Sequence, residues 1–266
     1  MKATDSPPKD RGERRGIQSM EVGGALLVAL ADSGTAMSLK DLSAAAHMAP
    51  AKAHPYLVSF AKLGLVNQDG LSGRYELGPL ALRMGLACLR RLDPVRLGIV
   101  HGARLAEEIH QTVALAVWGN AGPTVVHIEE STYPIHLNLR TGTVMSLNTA
   151  TGRAFAAWLP ADVMKLFLRQ SGQSQSFPLN SSEGDSWRSL QPILKEVRER
   201  GMARAVGNPI PGVNAFSAPV FDHEGRIVMV VTILGTAGTF EPEWDSPLAA
   251  ALRRTTEEIS ARLGRS

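Results

Sequence analysis

The chain has 266 residues, 44% hydrophobic and 20% charged, an ordinary globular composition with room for one large domain or two smaller ones. No run approaches the ~18 apolar residues of a membrane helix, the polar stretch from Met1 to Arg15 does not read as a secretory signal, and a lone cysteine, Cys88, excludes an internal disulfide or a cysteine metal cluster. The net charge of +3 is uneven: residues 1–91 hold 12 Lys/Arg against 8 Asp/Glu, whereas residues 92–266 hold 16 against 17, so the positive balance sits on the N-terminal third. A cytoplasmic protein without membrane contact is expected.

A flexible basic tail is expected over 1–16. Ser19 reads as the N-cap of a first helix whose apolar stripe is Val22, Leu26, Ala29 and Leu30, ending at Gly34. Ser38 with Asp41 forms a capping box ahead of a second helix. The turn His47-Met48-Ala49-Pro50 opens a third, with Ala53, Leu57, Phe60 and Ala61 facing inward and Gly64 as its stop. Two alternating runs, Leu65–Gln68 and Arg74–Leu77, flank Asp69-Gly70-Leu71-Ser72-Gly73, the chemistry of a hairpin. Three short helices followed by a two-stranded wing, over 17–78, make a winged helix–turn–helix, a device for entering the DNA major groove.

A linker helix is predicted over 79–93, with Leu80, Met84, Ala87 and Cys88 on one side and Cys88 as a small core residue, and a second amphipathic helix from Pro94 to Gln111. The period then becomes strand-like: Val113–Trp118, Thr124–Glu129, Ile135–Arg140 and Thr143–Leu147 precede helices at Gly152–Leu159, Ala161–Gln170 and Trp187–Arg200. Gly201–Val206, Val213–Phe221 and Arg226–Leu234 read as further strands, and Glu243–Leu263 as a closing helix. Strands interrupted by helices, with hairpins at several joints, predict an α+β domain over 94–266 on a mostly antiparallel sheet.

On the third helix the outward positions are Ala51, Lys52, His54 and Ser59, the candidates for reading base edges. Ser38 and Lys40 begin the second helix, where backbone phosphate is met; Arg74 and Tyr75 are on the wing; Arg11, Arg14 and Arg15 in the tail suit a minor groove. In the second domain Asn148-Thr149-Ala150-Thr151-Gly152 leads from a strand into a helix, and backbone N–H groups at such a start hold a carboxylate without a basic side chain. His101 and His110, nine apart on a helix, are too distant to share a metal, and His127 and His136 on adjacent strands are a pair alone, a weak metal signal, so neither a metal nor a cofactor is expected. An enzyme is disfavoured because the chain lacks G-x-S-x-G, H-E-x-x-H, the P-loop and G-x-G-x-x-G signatures.

Both halves resemble the IclR-type bacterial transcriptional regulators. The N-terminal likeness rests on "GIQSMEVGGALLVALADSG", "SLKDLSAAAHMAPAKAHPYLVSFAKLGLVNQD" and "GRYELGPLALRMG", the C-terminal one on "TGTVMSLNTATGRAFAAWLP" and "GVNAFSAPVFDHEGRIVMVVTILG". The resemblance implies a GAF-like effector domain behind the winged helix–turn–helix, a homodimer or dimer of dimers on a palindromic promoter operator, and a small organic acid as effector. It places Gly152, Arg153 and Ala154 at the floor of the ligand cup, with Val213, Ala215 and Thr232 facing them. The chain departs from the family in two places. Pro55 stands where an arginine is common, and a proline there costs roughly 3 kcal/mol in a regular helix, predicting a 3₁₀-like first turn or a kink near His54. The acidic cluster frequent before "PGVNAFSAP" is absent and Ala215 replaces a frequent cysteine, which implies a more apolar cup and an aromatic or branched carboxylate. Two other readings stay open: a DNA-binding dimer that has lost its effector, and a small-molecule enzyme.

Overall fold

The chain divides between Leu92 and Asp93 into two units. The computed structural model describes residues 17–131, 139–171 and 187–265; the tail with Arg11, Arg14 and Arg15, His136 and most of the run 135–140 lie outside the described residues.

In the first unit α1 spans Gln18–Ser33, α2 Leu39–Ala45 and α3 Pro50–Leu63. Ile17, not Ser19, occupies the N-cap of α1, and no side chain caps it. Ser38 caps α2 as expected, accepting the Asp41 N–H on Oγ at 3.2 Å, but the return bond of a full capping box is replaced by one from Ser38 Oγ to Asp41 Oδ2 at 2.7 Å. Strands β1 (Val66–Gln68) and β2 (Tyr75–Leu77) pair antiparallel, Asn67 opposite Glu76. Asp69 closes the wing by accepting the Leu71 and Ser72 N–H groups at 2.6 and 3.0 Å, and these bonds hold its carboxyl below the usual aspartate value.

Leu26, Leu30, Leu42, Ala53, Leu57, Val66 and Tyr75 form one small core shared by the three helices and the wing. Ala61 is exposed, contrary to its expected inward position. Helix α4 (Pro79–Leu89) buries none of its residues, and Leu82, Met84, Leu86 and Leu89 are all exposed. Cys88 is exposed as well and is no core residue.

The second unit begins with α5 (Pro94–Ile109), capped by Asp93, whose carboxylate accepts the Arg96 N–H at 3.1 Å. It continues with β3 (Thr112–Gly119), β4 (Gly122–Glu129), α6 (Ala150–Trp158), α7 (Ala161–Ser171), α8 (Trp187–Arg200), β5 (Ala203–Val206), β6 (Val213–Phe221), β7 (Ile227–Thr236) and α9 (Pro247–Arg262). The sheet has the order β4-β3-β7-β6-β5, with every neighbour antiparallel.

Alternation sorts its two faces. Val113 and Leu115 point at α5, which comes so close that a Cβ on Gly98 would lie 2.6 Å from Met229 Cε and 3.0 Å from Leu115 Cδ1. The neighbouring positions Ala114 and Ala116 point the other way. The expected strand at Thr143–Leu147 is instead an irregular edge segment. Val125 N–H donates to Thr143 O at 2.9 Å and Met145 N–H to Pro123 O at 2.7 Å, with a single bridge between Thr124 and Val144.

Candidate functional site

On α3, Ala53 and Leu57 are buried while Ala51, Lys52, His54 and Ser59 are exposed on the opposite side. This follows from helical spacing and leaves one face free to approach another molecule. The helix is α-helical from 50 to 63, so the expected 3₁₀ turn at Pro55 does not form. Pro55 and Ala51 are both exposed, which puts the carbonyl deprived of its donor on the solvent side, and Ser59 Oγ donates back to the Pro55 carbonyl at 3.0 Å. Lys40 is exposed on α2. Arg74 is exposed too, and its Nη1 donates to the Ala36 carbonyl at 3.1 Å, tying the wing to the entry of α2. Tyr75 is different: it is 5% exposed, its ring belongs to the core, and its backbone pairs with Met37. Tyr75 is thus a core residue of the wing, not an exposed reading position.

The second unit contains a cavity of about 290 Å³ on the sheet face that Ala114 and Ala116 share with Val213, Ala215, Thr232 and Leu234. Small side chains at these strand positions create the space. Leu139 and Met145 wall one side, the turn Asn208-Pro209-Ile210 another, and Thr149, Ala150 and Thr151 at the start of α6 form the polar end. Among the described residues, none that lines it carries a charged side chain.

Helix starts leave N–H groups without acceptors, and α6 uses its own cap for only part of the set. The N-cap Thr149 accepts the Gly152 N–H on its hydroxyl at 3.1 Å and the Arg153 N–H on its carbonyl at 2.9 Å. The N–H groups of Ala150 and Thr151, residues 2% and 3% exposed, have no acceptor among the described residues. Beside them three buried hydroxyls stand in a row: Thr151 Oγ1 is 2.8 Å from Thr232 Oγ1, which is 2.7 Å from Ser217 Oγ. The strand register places Ala114, Thr232 and Ser217 side by side across β3, β7 and β6.

Of the expected cup residues, Val213, Ala215 and Thr232 line the cavity, while Asn148, Gly152, Arg153 and Ala154 do not. Gly152 is bare for another reason: a Cβ there would collide with the Ser146 carbonyl oxygen and lie 2.6 Å from Leu147 Cα. It lets the helix start press against the incoming chain. Ala154 is fully buried in the core beside Phe155. Arg153 turns away to donate from Nη1 to the Arg204 carbonyl at 3.1 Å, and the Asn148 N–H donates to Ser146 Oγ at 3.1 Å. The carboxylate-holding turn read from the sequence at 148–152 does border the cavity, but through Thr149, Ala150 and Thr151 and not through the Gly152, Arg153 and Ala154 floor. The sequence reading missed the paired alanines of β3.

Two family descriptions match the chain: the IclR helix-turn-helix domain over residues 19–70, and the bacterial transcriptional regulator IclR C-terminal domain over residues 88–261. The chain belongs to the IclR family. Among its IclR-family relatives, the glycerol operon regulatory protein of Streptomyces coelicolor is 28% identical over 253 residues, 94% of this chain and 98% of that protein. The HTH-type transcriptional regulator KdgR of Escherichia coli is 25% identical over 231 residues, 86% of each. The crystal structure of Pseudomonas aeruginosa HmgR superposes with a TM-score of 0.80 at 35% identity, covering 94% of this chain and 99% of that one. That of Agobacterium tumefaciens repressor BlcR, at 23% identity, shares the fold with a TM-score of 0.76 over 94% and 98%. As an IclR-family member the chain is a DNA-binding transcriptional regulator and not an enzyme. No helix among the described residues is long and apolar enough to cross a membrane.

Proposed function

We propose that this regulator binds a promoter operator through α3 and the wing, and that a small organic acid with an apolar, aromatic or branched body modulates that binding from the cavity beside α6. The observation that carries the reading is the pair of N–H groups of the buried Ala150 and Thr151, without an acceptor among the described residues, at a cavity whose described lining has no charged side chain. A carboxylate satisfies both donors and meets the positive end of the helix, while the alanine, valine and leucine wall takes the body. At about 290 Å³ the cavity lies near the lower end of the roughly 300–1,000 Å³ of ligand pockets, which suits a compact monoacid.

On DNA, Lys52 and His54 are assigned to base edges, with Ala51 and Ser59 beside them, and Lys40, Ser38 and Arg74 to backbone phosphate. The protein acts as a homodimer or dimer of dimers. The exposed apolar side chains of α4 are surface that assembly would cover, which light scattering of the purified protein tests.

The test of the whole reading is an electrophoretic shift on the DNA upstream of the gene, with and without aromatic and branched acids. Coupling of roughly 1–3 kcal/mol moves operator affinity about 5- to 150-fold. Ala215→Phe, which fills the cavity, keeps DNA binding and abolishes the acid response. Operator binding that no acid alters, with the protein folded, favours a DNA-binding dimer without an effector.

A further inference from the structure

We infer that Ser217, Thr232 and Thr151 form a one-way hydroxyl relay that delivers a single hydrogen-bond donor to the head group of the effector, with Ser217 as a positioning residue that never touches the ligand. This rests on the effector reading above and sharpens its chemistry: beside the N–H groups of Ala150 and Thr151, the head must place an oxygen that accepts, as the second oxygen of a carboxylate does.

The argument is a proton count. Three hydroxyls carry three protons, and the two contacts between them, 2.8 and 2.7 Å, use two. The third leaves the row from Ser217, from Thr232 or from Thr151. If it left at Ser217 it would be stranded: Ser217 is fully buried, outside the cavity lining, and has no other acceptor among the described residues. A buried donor without an acceptor is unfavourable, so the Ser217 proton goes to Thr232 Oγ1. The surplus proton is then carried by Thr232 or Thr151, both of which line the cavity and neither of which has a further acceptor among the described residues. The row runs from the sheet toward the ligand. A ligand that presents only a donor at this place leaves the surplus proton without an acceptor, so an accepting oxygen is preferred there.

The experiment is calorimetric titration of the full chain with benzoate, phenylacetate, 3-phenylpropionate and 4-methyl-2-oxopentanoate, carrying the tightest binder forward. Thr232→Val, which keeps shape and drops the hydroxyl, is expected to weaken that acid at least tenfold, and Ser217→Ala about threefold. In the Thr232→Val background Ser217→Ala has no further effect, because Ser217 acts only through the hydroxyl already removed; a packing role would be additive in both backgrounds. Thr232→Ser retains the hydroxyl and binds as the wild type, which keeps the test decisive if Thr232→Val fails to fold. Equal losses from Ser217→Ala in both backgrounds, or unchanged acid binding by folded Thr232→Val, overturn the relay alone. No saturable binding of any of the four acids by the wild type overturns the acid-effector reading, and the relay with it.

Discussion

Gly152→Ala is the perturbation whose outcome is set most directly by the geometry. The added Cβ meets backbone on two sides, the Ser146 carbonyl and Leu147 Cα, the latter at 2.6 Å. Neither neighbour is a flexible side-chain end that can swing aside, so the first turn of α6 must retreat by about 1 Å from the segment that feeds it, an overpacking that typically costs about 1–3 kcal/mol. For a unit of this size that corresponds to a fall of roughly 2–12 °C in the melting temperature of the C-terminal unit. The same retreat carries the Ala150 and Thr151 N–H groups out of place, so affinity for the acid effector falls at least tenfold while operator DNA is still bound.

Gly85→Ala in α4 is the control of opposite sign. Nothing lies within 4 Å of the new methyl, and a helical glycine replaced by alanine stabilises by about 0.4–1 kcal/mol. Differential scanning calorimetry of both variants, with acid titration of the first, decides the matter. A Gly152→Ala protein that melts and binds acid as the wild type does would refute the close-approach account.

Lys52→Ala should weaken operator binding at least tenfold by fluorescence anisotropy, whereas Lys40→Ala weakens operator and random DNA alike and reduces the salt slope by about one. Pro55→Ala restores an N–H to the Ala51 carbonyl and should stabilise the N-terminal unit by up to about 3 kcal/mol in urea unfolding; no gain would mean that solvent and the Ser59 contact already offset the loss. Burial on α5 holds His101 below its ordinary value, with Arg262 adding to the effect and Glu258 at 3.5 Å opposing it. The unfolded chain therefore binds a proton that the folded one refuses, and stability falls as pH drops below about 6.5, the usual histidine value. His101→Gln should flatten that fall in thermal melts between pH 7.5 and 5.5; an unchanged slope would assign the loss to other groups.

Much of this protein is determined locally and was legible before any coordinates. Capping chemistry at Ser38 and Asp41, Pro50 at the first position of α3, the glycine stops and the period-2 runs of the sheet depend on neighbours a few residues away, so the winged helix–turn–helix and the α+β domain follow from the order of residues alone. The exposed set on α3 follows as well, because 3.6 residues per turn fixes which side chains oppose Ala53 and Leu57.

What only the tertiary structure decided depends on residues far apart in the chain. Tyr75 is aromatic at a strand end whether it reads DNA or packs, and the small core of the first unit decides for packing. Gly152 is bare whether a ligand or the chain itself approaches it, and the closeness of Ser146 and Leu147 shows that it is the chain. Thr151 and Thr232 are candidates near the ligand in sequence, but nothing there links them to each other or to Ser217. Strand register and the docking of α6 bring residues 151 and 232 within 2.8 Å of each other, and only there do they become one chain of hydroxyls. A proton's direction along such a chain is a property of the whole row and its buried end, which no single position along the sequence carries.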